Sequence, residues 1–248
     1  MMALSKKIIC LFDVDGTLTA SRKVITPAMR RFIIEEIQPR CAVGLVGGSD
    51  EAKITEQMGG LEVIDKFDYV FSENGLVAKK KGVEIERTTI ISHMGEEKLQ
   101  TFINYALKCL SEIRLPVKRG TFIEFRTGLI NVCPVGRSCS QQERDEFGEY
   151  DKVHKIRESL VEKFKTQFPD FGLNYVIGGQ VSIDVFPQGW DKTYCLKFIN
   201  GFDEVHFFGD KTQQGGNDYE LFMDSSTIGH SVTSPDDTKK QIEKLFGL

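Results

Sequence analysis

The first part of the chain alternates short apolar runs with segments of helical periodicity. The runs are too short for typical helices and are rich in β-branched and aromatic residues, as buried parallel strands are. They occupy residues 8–12, 42–46 and 69–71. Apolar positions at helical spacing lie in 27–37, where Thr26-Pro27 is a typical helix start, and in 51–58. This alternation predicts a doubly wound parallel sheet of the α/β class.

The pattern changes after about residue 84 and returns at Gly189. The intervening segment predicts an amphipathic helix, two antiparallel strands and a strand with one apolar and one polar face. These elements are expected at 102–113, 121–126, 129–135 and 181–185. We therefore expect a discontinuous core, residues 1–84 and 189–248, with an inserted α+β cap, residues 85–188. The active site is expected in the crevice between them.

One further helix is expected within the cap. Ser140 and Glu143 have the spacing of a capping box. Apolar residues at helical spacing follow them. These residues are Phe147, Val153, Ile156, Leu160 and Phe164. The pattern predicts one long helix that begins after Ser140.

Composition narrows the class of protein. The 248 residues are 40% hydrophobic and 27% charged, and 32 basic against 36 acidic residues give a net charge of −4. This balance favours neither nucleic acid nor an anionic membrane as a partner. The six cysteines are scattered, which argues against a disulfide framework or a zinc site. We expect a soluble cytoplasmic protein without a membrane-spanning segment.

The candidate chemistry begins at the end of the first strand. Asp13 and Asp15 follow the apolar run directly, at the edge where open α/β sheets place their ligands. Residues two apart on an extended chain point the same way, so the two acids are expected to share a small volume. Such a pair favours a divalent cation, an aspartyl nucleophile, or both. An exposed Asp-Gly turn is the simpler alternative.

Later segments supply the other groups that phosphoryl transfer requires. Ser49 would donate a hydroxyl, Lys192 a fixed cation, and Asp210 and Asp218 carboxylates for Mg²⁺. Each residue by itself could be purely structural. Their order along the chain supports a common site in which Asp13 attacks phosphorus.

These residues match the four motifs of the haloacid dehalogenase superfamily, and the chain resembles eukaryotic phosphomannomutases along nearly its whole length. The specific segments are 46–50, 119–126, 136–140, 184–187, 189–192, 208–212 and 215–218. The resemblance implies that Asp13 is the phosphorylated nucleophile and Asp15 the general acid and base. It places Mg²⁺ on Asp13, the backbone oxygen of Asp15, and Asp210, with Asp218 close by.

The resemblance also implies two sets of binding residues. Sugar-phosphate ligands are expected in both parts of the chain. They are Arg22 in the core, and Arg126, Arg137, Arg144, Ser182 and Asp184 in the cap. Arginine suits the distal phosphate of a sugar bisphosphate because its guanidinium binds oxyanions with two parallel hydrogen bonds. A second, peripheral cation site would use the backbone of Phe222 with Asp224 and Thr227.

The implied reaction is the interconversion of mannose 6-phosphate and mannose 1-phosphate. It would pass through an aspartyl phosphate and a hexose 1,6-bisphosphate, which also serves as activator, and supply GDP-mannose synthesis. A sugar-phosphate phosphatase would use the same catalytic motifs, and a receiver-like phospho-acceptor switch is the non-enzymatic alternative. The resemblance further implies a homodimer through the cap, although the apolar helix face at 102–113 could equally belong to the cap core.

Overall fold

The computed structural model describes residues 6–248. The strands are β1 (Ile8–Phe12), β2 (Ala42–Val46), β3 (Tyr69–Ser72), β4 (Val77–Lys80), β5 (Val83–Arg87), β6 (Ile123–Phe125), β7 (Ile130–Val132), β8 (Leu173–Gly178), β9 (Ser182–Pro187), β10 (Glu204–Gly209) and β11 (Ile228–Ser231). The α-helices are α1 (Pro27–Arg31), α2 (Glu51–Met58), α3 (Leu61–Ile64), α4 (Ile90–Met94), α5 (Glu96–Glu112), α6 (Gln141–His154), α7 (Ile156–Gln167), α8 (Tyr219–Met223) and α9 (Pro235–Phe246). A π-helical segment, Phe32–Ile37, continues α1, and 3₁₀ segments cover Glu73–Gly75 and Lys192–Phe198.

The chain forms two compact units. The larger unit contains the chain up to Arg87 and Gly189–Leu248, and the smaller contains Thr88–Gln188. A boundary after residue 84, as the sequence pattern suggested, would cut through β5. The chain leaves the larger unit only after that strand is complete.

The larger unit contains a seven-stranded sheet in the order β11-β10-β1-β2-β3-β4-β5. The first five of these strands are parallel, and β4 and β5 add an antiparallel hairpin at one edge. The sequence pattern did not predict this hairpin, because β5 carries little buried apolar surface. Its two-residue turn, Lys81-Gly82, has positive φ at both positions, which matches the right-handed twist of hairpin strands.

The strand β1 lies in the interior of the sheet, between β10 and β2, and is buried on both faces. Cys10 and Phe12 pack into one hydrophobic cluster, together with residues of α2 and α9. Ile9 and Leu11 point the other way and pack into a second cluster. Alternate residues of a strand face opposite sides of a sheet, so these two clusters account for the continuous apolar run in the sequence.

The smaller unit is built on an antiparallel sheet in the order β6-β7-β9-β8. The apolar face of α5 belongs to the core of this unit. Phe102 is fully buried, and its ring lies 5.3 Å from that of Phe164 and 5.6 Å from that of Phe168. The helix face at 102–113 is therefore occupied within its own unit.

The expected long helix after Ser140 is two helices, so that prediction was wrong. The capping box of Ser140 and Glu143 is present at the start of α6. However, Lys155 adopts a left-handed conformation (φ 54°, ψ 37°), which separates α6 from α7. The buried Asp151 side chain stabilises the break, because it accepts hydrogen bonds from the backbone N–H of Arg157 at 2.9 Å and from its guanidinium at 2.7 Å.

Two further expectations concern the whole chain. All six cysteines are buried, and none of them forms a disulfide bond in the structure. Within residues 6–248, none of the helices has the length and apolar character required to cross a membrane.

Gly136 offers a test of backbone packing in the smaller unit. It has φ +88°, and a Cβ there would lie 2.6 Å from the backbone oxygens of Arg119 and Gly120. We expect Gly136→Ala to lower the free energy of unfolding by about 3 kcal/mol, since strain and a backbone clash act together. Gly172 is the matched control, because it has φ +63° and a Cβ there would meet no neighbouring side chain or backbone within 4 Å.

For Gly172→Ala the expected loss is only about 1 kcal/mol, from the left-handed backbone alone. Urea unfolding of both variants measures the difference. Equal losses would show that the clash at Gly136 is relieved by movement of the neighbouring loop.

Candidate active site

The site begins where β1 ends. The backbone N–H of Asp13 donates to the carbonyl of Phe208 at 2.9 Å, which extends the parallel pairing of β1 with β10 by one residue. The side chain of Asp13 is buried. Because β10 ends at Gly209, this pairing brings Asp13 beside the segment that carries Asp210.

Lys192 lies at the start of a 3₁₀ segment whose first residues are capped by Asp191. Its side chain is completely buried, and its ammonium donates to Oδ1 of Asp13 and, at 2.5 Å, to Oδ1 of Asp218. Burial lowers the pKa of Lys192, but the charges of Asp13 and Asp218 outweigh burial and hold the pKa above its ordinary value. The ammonium therefore stays charged in the protein interior.

The same burial affects the carboxylates. It raises the pKa of Asp13 to about 6, with the charge of Lys192 acting against the rise and that of Asp218 adding to it. Burial also raises the pKa of Asp210. The carboxylates of Asp13, Asp210 and Asp218 have oxygens within 4.8 Å of one another. With one ammonium against three carboxylates, the formal charge of the cluster is 1 − 3 = −2.

This cluster has the properties of a divalent cation site. Oδ1 of Asp210 is buried and has no hydrogen-bond partner among the described residues, and the same is true of Oγ1 of Thr17. Three close carboxylates, an excess of negative charge and an unpaired buried oxygen all fit a hard cation with oxygen ligands. Gly16 leaves room for this arrangement, because a Cβ there would lie 2.3 Å from Oδ2 of Asp210.

Asp15 lies in a different environment from Asp13. Its Oδ1 accepts from the backbone N–H of Arg22 at 2.8 Å and from Nε2 of Gln57 at 2.6 Å. Its carboxylate is not part of the three-carboxylate cluster found within residues 6–248. The expectation that both acids share one small volume assumed an extended chain. The strand ends at Phe12, and a turn with Gly16 at φ +79° follows.

Two residues with hydroxyl side chains, Thr17 and Ser49, lie at the same edge of the sheet as the carboxylate cluster. Thr17 is fully buried, and its backbone carbonyl accepts from Oγ1 of Thr238 on α9 at 2.8 Å. Ser49 is half-buried in the loop after β2, the strand beside β1. Its carbonyl accepts from the N–H of Glu73 at 2.9 Å. The topology thus brings Ser49 to the same sheet edge as Asp13.

The predicted residues of the smaller unit form one hydrogen-bonded network. In the sheet, Asn131 is registered with Glu124 of β6 on one side and Asp184 of β9 on the other. Nδ2 of Asn131 donates to Asp184 at 2.6 Å, and its Oδ1 accepts from Arg137 at 3.0 Å. Arg137 also reaches Oγ of Ser182 at 3.5 Å. A row of polar side chains therefore crosses the sheet.

Arginines gather along this row. Glu124 forms ion pairs with Arg126, at 2.9 Å, and with Arg137. The hydrogen bond from Arg126 lowers the pKa of Glu124, so its carboxylate is ionised. Arg144, near the start of α6, donates to the backbone carbonyl of Arg137 at 3.0 Å. The structure thus brings together Arg126, Arg137 and Arg144.

The remaining predicted residues lie elsewhere in the larger unit. Arg22 is exposed and has a positive φ of 59°. Oδ1 of Asp224 accepts hydrogen bonds from the backbone N–H of Ser226 at 2.8 Å and from the Ser226 hydroxyl at 2.6 Å. The hydroxyl of Thr227 donates to the backbone carbonyl of Leu221 at 2.6 Å. These bonds form a compact turn after α8. Of the three ligands predicted for a second cation, Phe222, Asp224 and Thr227, only Asp224 has a carboxylate.

Sequence reasoning missed Gln57, Glu124 and Asn131. Gln57 shares the buried face of α2 with Ile54 and Met58, at spacings of three and one residues. A glutamine at such an inward position signals a specific hydrogen-bond partner. Asn131 is a polar residue in the middle of a buried apolar strand and carries the same signal.

Comparison with solved structures supports the fold. A trehalose-6-phosphate phosphatase from Aspergillus fumigatus has a TM-score of 0.61 at 16% identity, over 98% of this chain and 94% of its own. A haloacid dehalogenase-like hydrolase from Bacteroides thetaiotaomicron has a TM-score of 0.60 at 15% identity, over 97% of this chain and all of its own (100%). The predicted α/β fold of haloacid dehalogenase type is confirmed.

Sequence comparison identifies the family. The family model for eukaryotic phosphomannomutase matches residues 29–248. A phosphomannomutase from Glycine max is 56% identical over 246 residues, which is 99% of each chain. One from Drosophila melanogaster is 51% identical over 245 residues, 98% of this chain and 96% of its own. This chain therefore belongs to the eukaryotic phosphomannomutase family, a family of isomerases.

Proposed function

We propose that this protein interconverts mannose 6-phosphate and mannose 1-phosphate through an aspartyl phosphate on Asp13 and a hexose 1,6-bisphosphate. The observation that carries the proposal is the ammonium of Lys192, held in the protein interior between Asp13 and Asp218. A buried fixed cation beside a carboxylate suits the transfer of a dianionic phosphoryl group. Identity above 50% along almost the whole chain supports the same reaction.

Asp13 is the proposed nucleophile. Although burial raises its pKa to about 6, this value still leaves the carboxylate mostly ionised at neutral pH. Lys192 holds Oδ1, so the attack on phosphorus is assigned to the other carboxylate oxygen. The bond from this oxygen to phosphorus forms as the bond from phosphorus to the sugar oxygen breaks.

Asp13, Asp210 and Asp218, with the backbone oxygen of Asp15, are the proposed ligands of Mg²⁺. The unpaired buried oxygen of Asp210 and the excess of negative charge support this assignment. When bound, the ion would offset negative charge on the transferred phosphoryl group. Lys192 contributes to the same end through its own charge, and Ser49 is proposed to donate its hydroxyl to a phosphoryl oxygen.

The network of the smaller unit is proposed to bind the rest of the sugar phosphate. Arg126, Arg137 and Arg144 would bind the distal phosphate, for which Glu124 holds the first two arginines in place before substrate enters. Ser182 and Asp184 would contact sugar hydroxyls. Arg22 is proposed as the sugar-phosphate ligand of the larger unit.

The proposal also includes a second cation site, an activator, and the assembly and location of the protein. Phe222, Asp224 and Thr227 would form a peripheral cation site. A hexose 1,6-bisphosphate would activate the enzyme by phosphorylating Asp13. We further propose a cytoplasmic homodimer that associates through the smaller unit and supplies mannose 1-phosphate for GDP-mannose synthesis.

A sugar-phosphate phosphatase is the second candidate, because it would use the same carboxylates with water as the acceptor. A receiver-like phospho-acceptor switch fits less well. It requires neither an inserted unit nor a row of arginines. The acceptor of the phosphoryl group therefore separates the two enzymatic candidates.

An assay with mannose 1-phosphate, Mg²⁺ and a catalytic amount of glucose 1,6-bisphosphate tests the function directly. We expect mannose 6-phosphate to accumulate with little free phosphate, because the phosphoryl group is returned to the sugar. Both products are measured in the same sample. Free phosphate in proportion to the substrate consumed, with little mannose 6-phosphate, would assign the chain to the phosphatases.

Replacement of Asp13 tests its proposed role as the nucleophile. Asp13→Asn removes the attacking oxygen, so turnover should fall by at least about 10³-fold and no phosphoenzyme should form. Circular dichroism checks that the fold is retained, since Lys192 keeps Asp218 as a partner. Asp170→Asn, at an exposed position, is the control and should keep full activity. Turnover retained in Asp13→Asn would exclude Asp13 as the nucleophile.

Replacement of one arginine of the smaller unit tests the proposed binding of the distal phosphate. Arg126→Met should raise KM for mannose 1-phosphate by about 10-fold or more, because a charge-assisted hydrogen bond to phosphate is lost. Arg119→Met is a matched control. The two side chains are similarly exposed, 39% and 43%, and each pairs with a glutamate. A comparable rise in KM in both variants would argue against a specific role for Arg126.

A further inference from the structure

Gln57 is a buried polar side chain in the larger unit whose contacts lead to Asp15. It lies in the last turn of α2, and only 6% of it is exposed. A buried amide costs free energy unless its polar atoms are hydrogen-bonded, so its partners carry information. Its Nε2 donates to Oδ1 of Asp15 at 2.6 Å.

A second donor reaches the same oxygen. The backbone N–H of Arg22 lies 2.8 Å from Oδ1 of Asp15, and Arg22 holds a positive φ of 59°. A left-handed conformation is unfavourable for a residue other than glycine and persists only where its surroundings impose it. The backbone carbonyl of Gln57 accepts from the N–H of Ile25 at 2.8 Å, which fixes the loop that carries Arg22.

Both donors converge on one carboxylate oxygen. Among residues 6–248, hydrogen bonds reach Oδ1 of Asp15 and none reaches Oδ2. The two oxygens of this carboxylate are therefore not equivalent. Oδ1 is held by two neutral N–H groups, which prefer an unprotonated acceptor, and Oδ2 is left to exchange a proton.

We propose that Gln57 is a positioning residue that, with the backbone of Arg22, fixes Oδ1 of Asp15 so that Oδ2 is the oxygen that exchanges the proton with the sugar. This inference rests on the proposed function and on the role of general acid and base that the family resemblance implies for Asp15. As Asp13 attacks phosphorus, the bond from phosphorus to the sugar oxygen breaks. The sugar oxygen takes its proton from Oδ2 of Asp15.

In the return step the sugar hydroxyl gives its proton to Oδ2 while its oxygen bonds to phosphorus and the bond from Asp13 to phosphorus breaks. The Gln57 amide neither gains nor loses a proton in either direction. A neutral donor of this kind can hold the carboxylate without competing with it as an acid or base. Proton transfer in the transition state depends on such positioning.

The test compares two reactions of one variant. Gln57→Met keeps the approximate length of the side chain and removes the N–H donor. One reaction is the mannose 1-phosphate assay with glucose 1,6-bisphosphate, which requires proton transfer to the sugar oxygen. The other is phosphorylation of Asp13 by radiolabelled acetyl phosphate. Acetate is a weak base and leaves without a proton, so this reaction does not need Asp15.

Gln38 is a matched control, because it lies near the amino-terminal ends of the parallel strands, opposite the ends that carry the cluster. Nε2 of Gln38 donates to the carbonyl of Lys66 at 2.6 Å and to Asp68 at 3.3 Å, just before β3 begins. Gln38→Met thus removes similar hydrogen bonds far along the strands from the cluster. It should leave both reactions unchanged.

For Gln57→Met we expect kcat of the sugar reaction to fall about 10- to 100-fold, with KM within twofold of wild type and normal labelling by acetyl phosphate. A parallel loss of labelling would mean that Gln57 only supports the local fold, and an unchanged kcat would mean that Asp15 is positioned without it. Either result overturns the inference but leaves the proposed function standing. Failure of the wild-type protein to be labelled on Asp13 would overturn both.

Discussion

The larger unit depends on the ammonium of Lys192, which is completely buried between two carboxylates. A charge removed from water must be paired and hydrogen-bonded, and loss of one partner from a buried ion pair costs about 3–5 kcal/mol. Three segments of the chain must meet for this pairing: the end of β1, the start of the Lys192 segment and the residue before α8. Because the Lys192 charge must be neutralised, the backbone segments that carry Asp13, Lys192 and Asp218 are held together, and these segments also form the candidate active site.

This constraint also explains how a discontinuous unit holds together. Lys192 and Asp13 are 179 residues apart in the chain, and the smaller unit occupies most of that interval. The parallel pairing of β1 with β10 brings the two parts into one sheet, and the hydrogen bond from Asp13 to Phe208 continues it to the site. From β1 the chain continues to β2 and β3 on one side, whereas β10 and β11 extend the sheet on the other side. The strand order therefore reverses between β1 and β10, which is the switch point where open α/β sheets bind ligands.

Hydrophobic pattern and capping predicted the elements that are locally determined. The strands β1 and β2 and the helix α2 have the expected bounds, because each strand is a continuous apolar run with a clear end and the helix begins after a capping residue. The periodicity of apolar residues does not reveal the break at Lys155 or the hairpin of β4 and β5. The break depends on a buried aspartate that accepts a hydrogen bond from the next helix, and the hairpin depends on a turn with positive φ. Lys192 could be singled out by its residue type, whereas Gln57 acts through Asp15, a partner 42 residues away in sequence.

The two aspartates that follow β1 show how environment divides the chemistry between similar side chains. Asp13 is buried and faces a fixed positive charge, which keeps this proposed nucleophile ionised although burial raises its pKa. Asp15, half-buried directly before Gly16, receives only neutral donors among residues 6–248, both on one oxygen. A carboxylate held in this way can take up and release a proton at the other oxygen without losing its orientation. Separate environments for neighbouring carboxylates would let one site provide both the proposed nucleophile and the proposed acid. The short turn between Phe12 and Arg22 creates that separation.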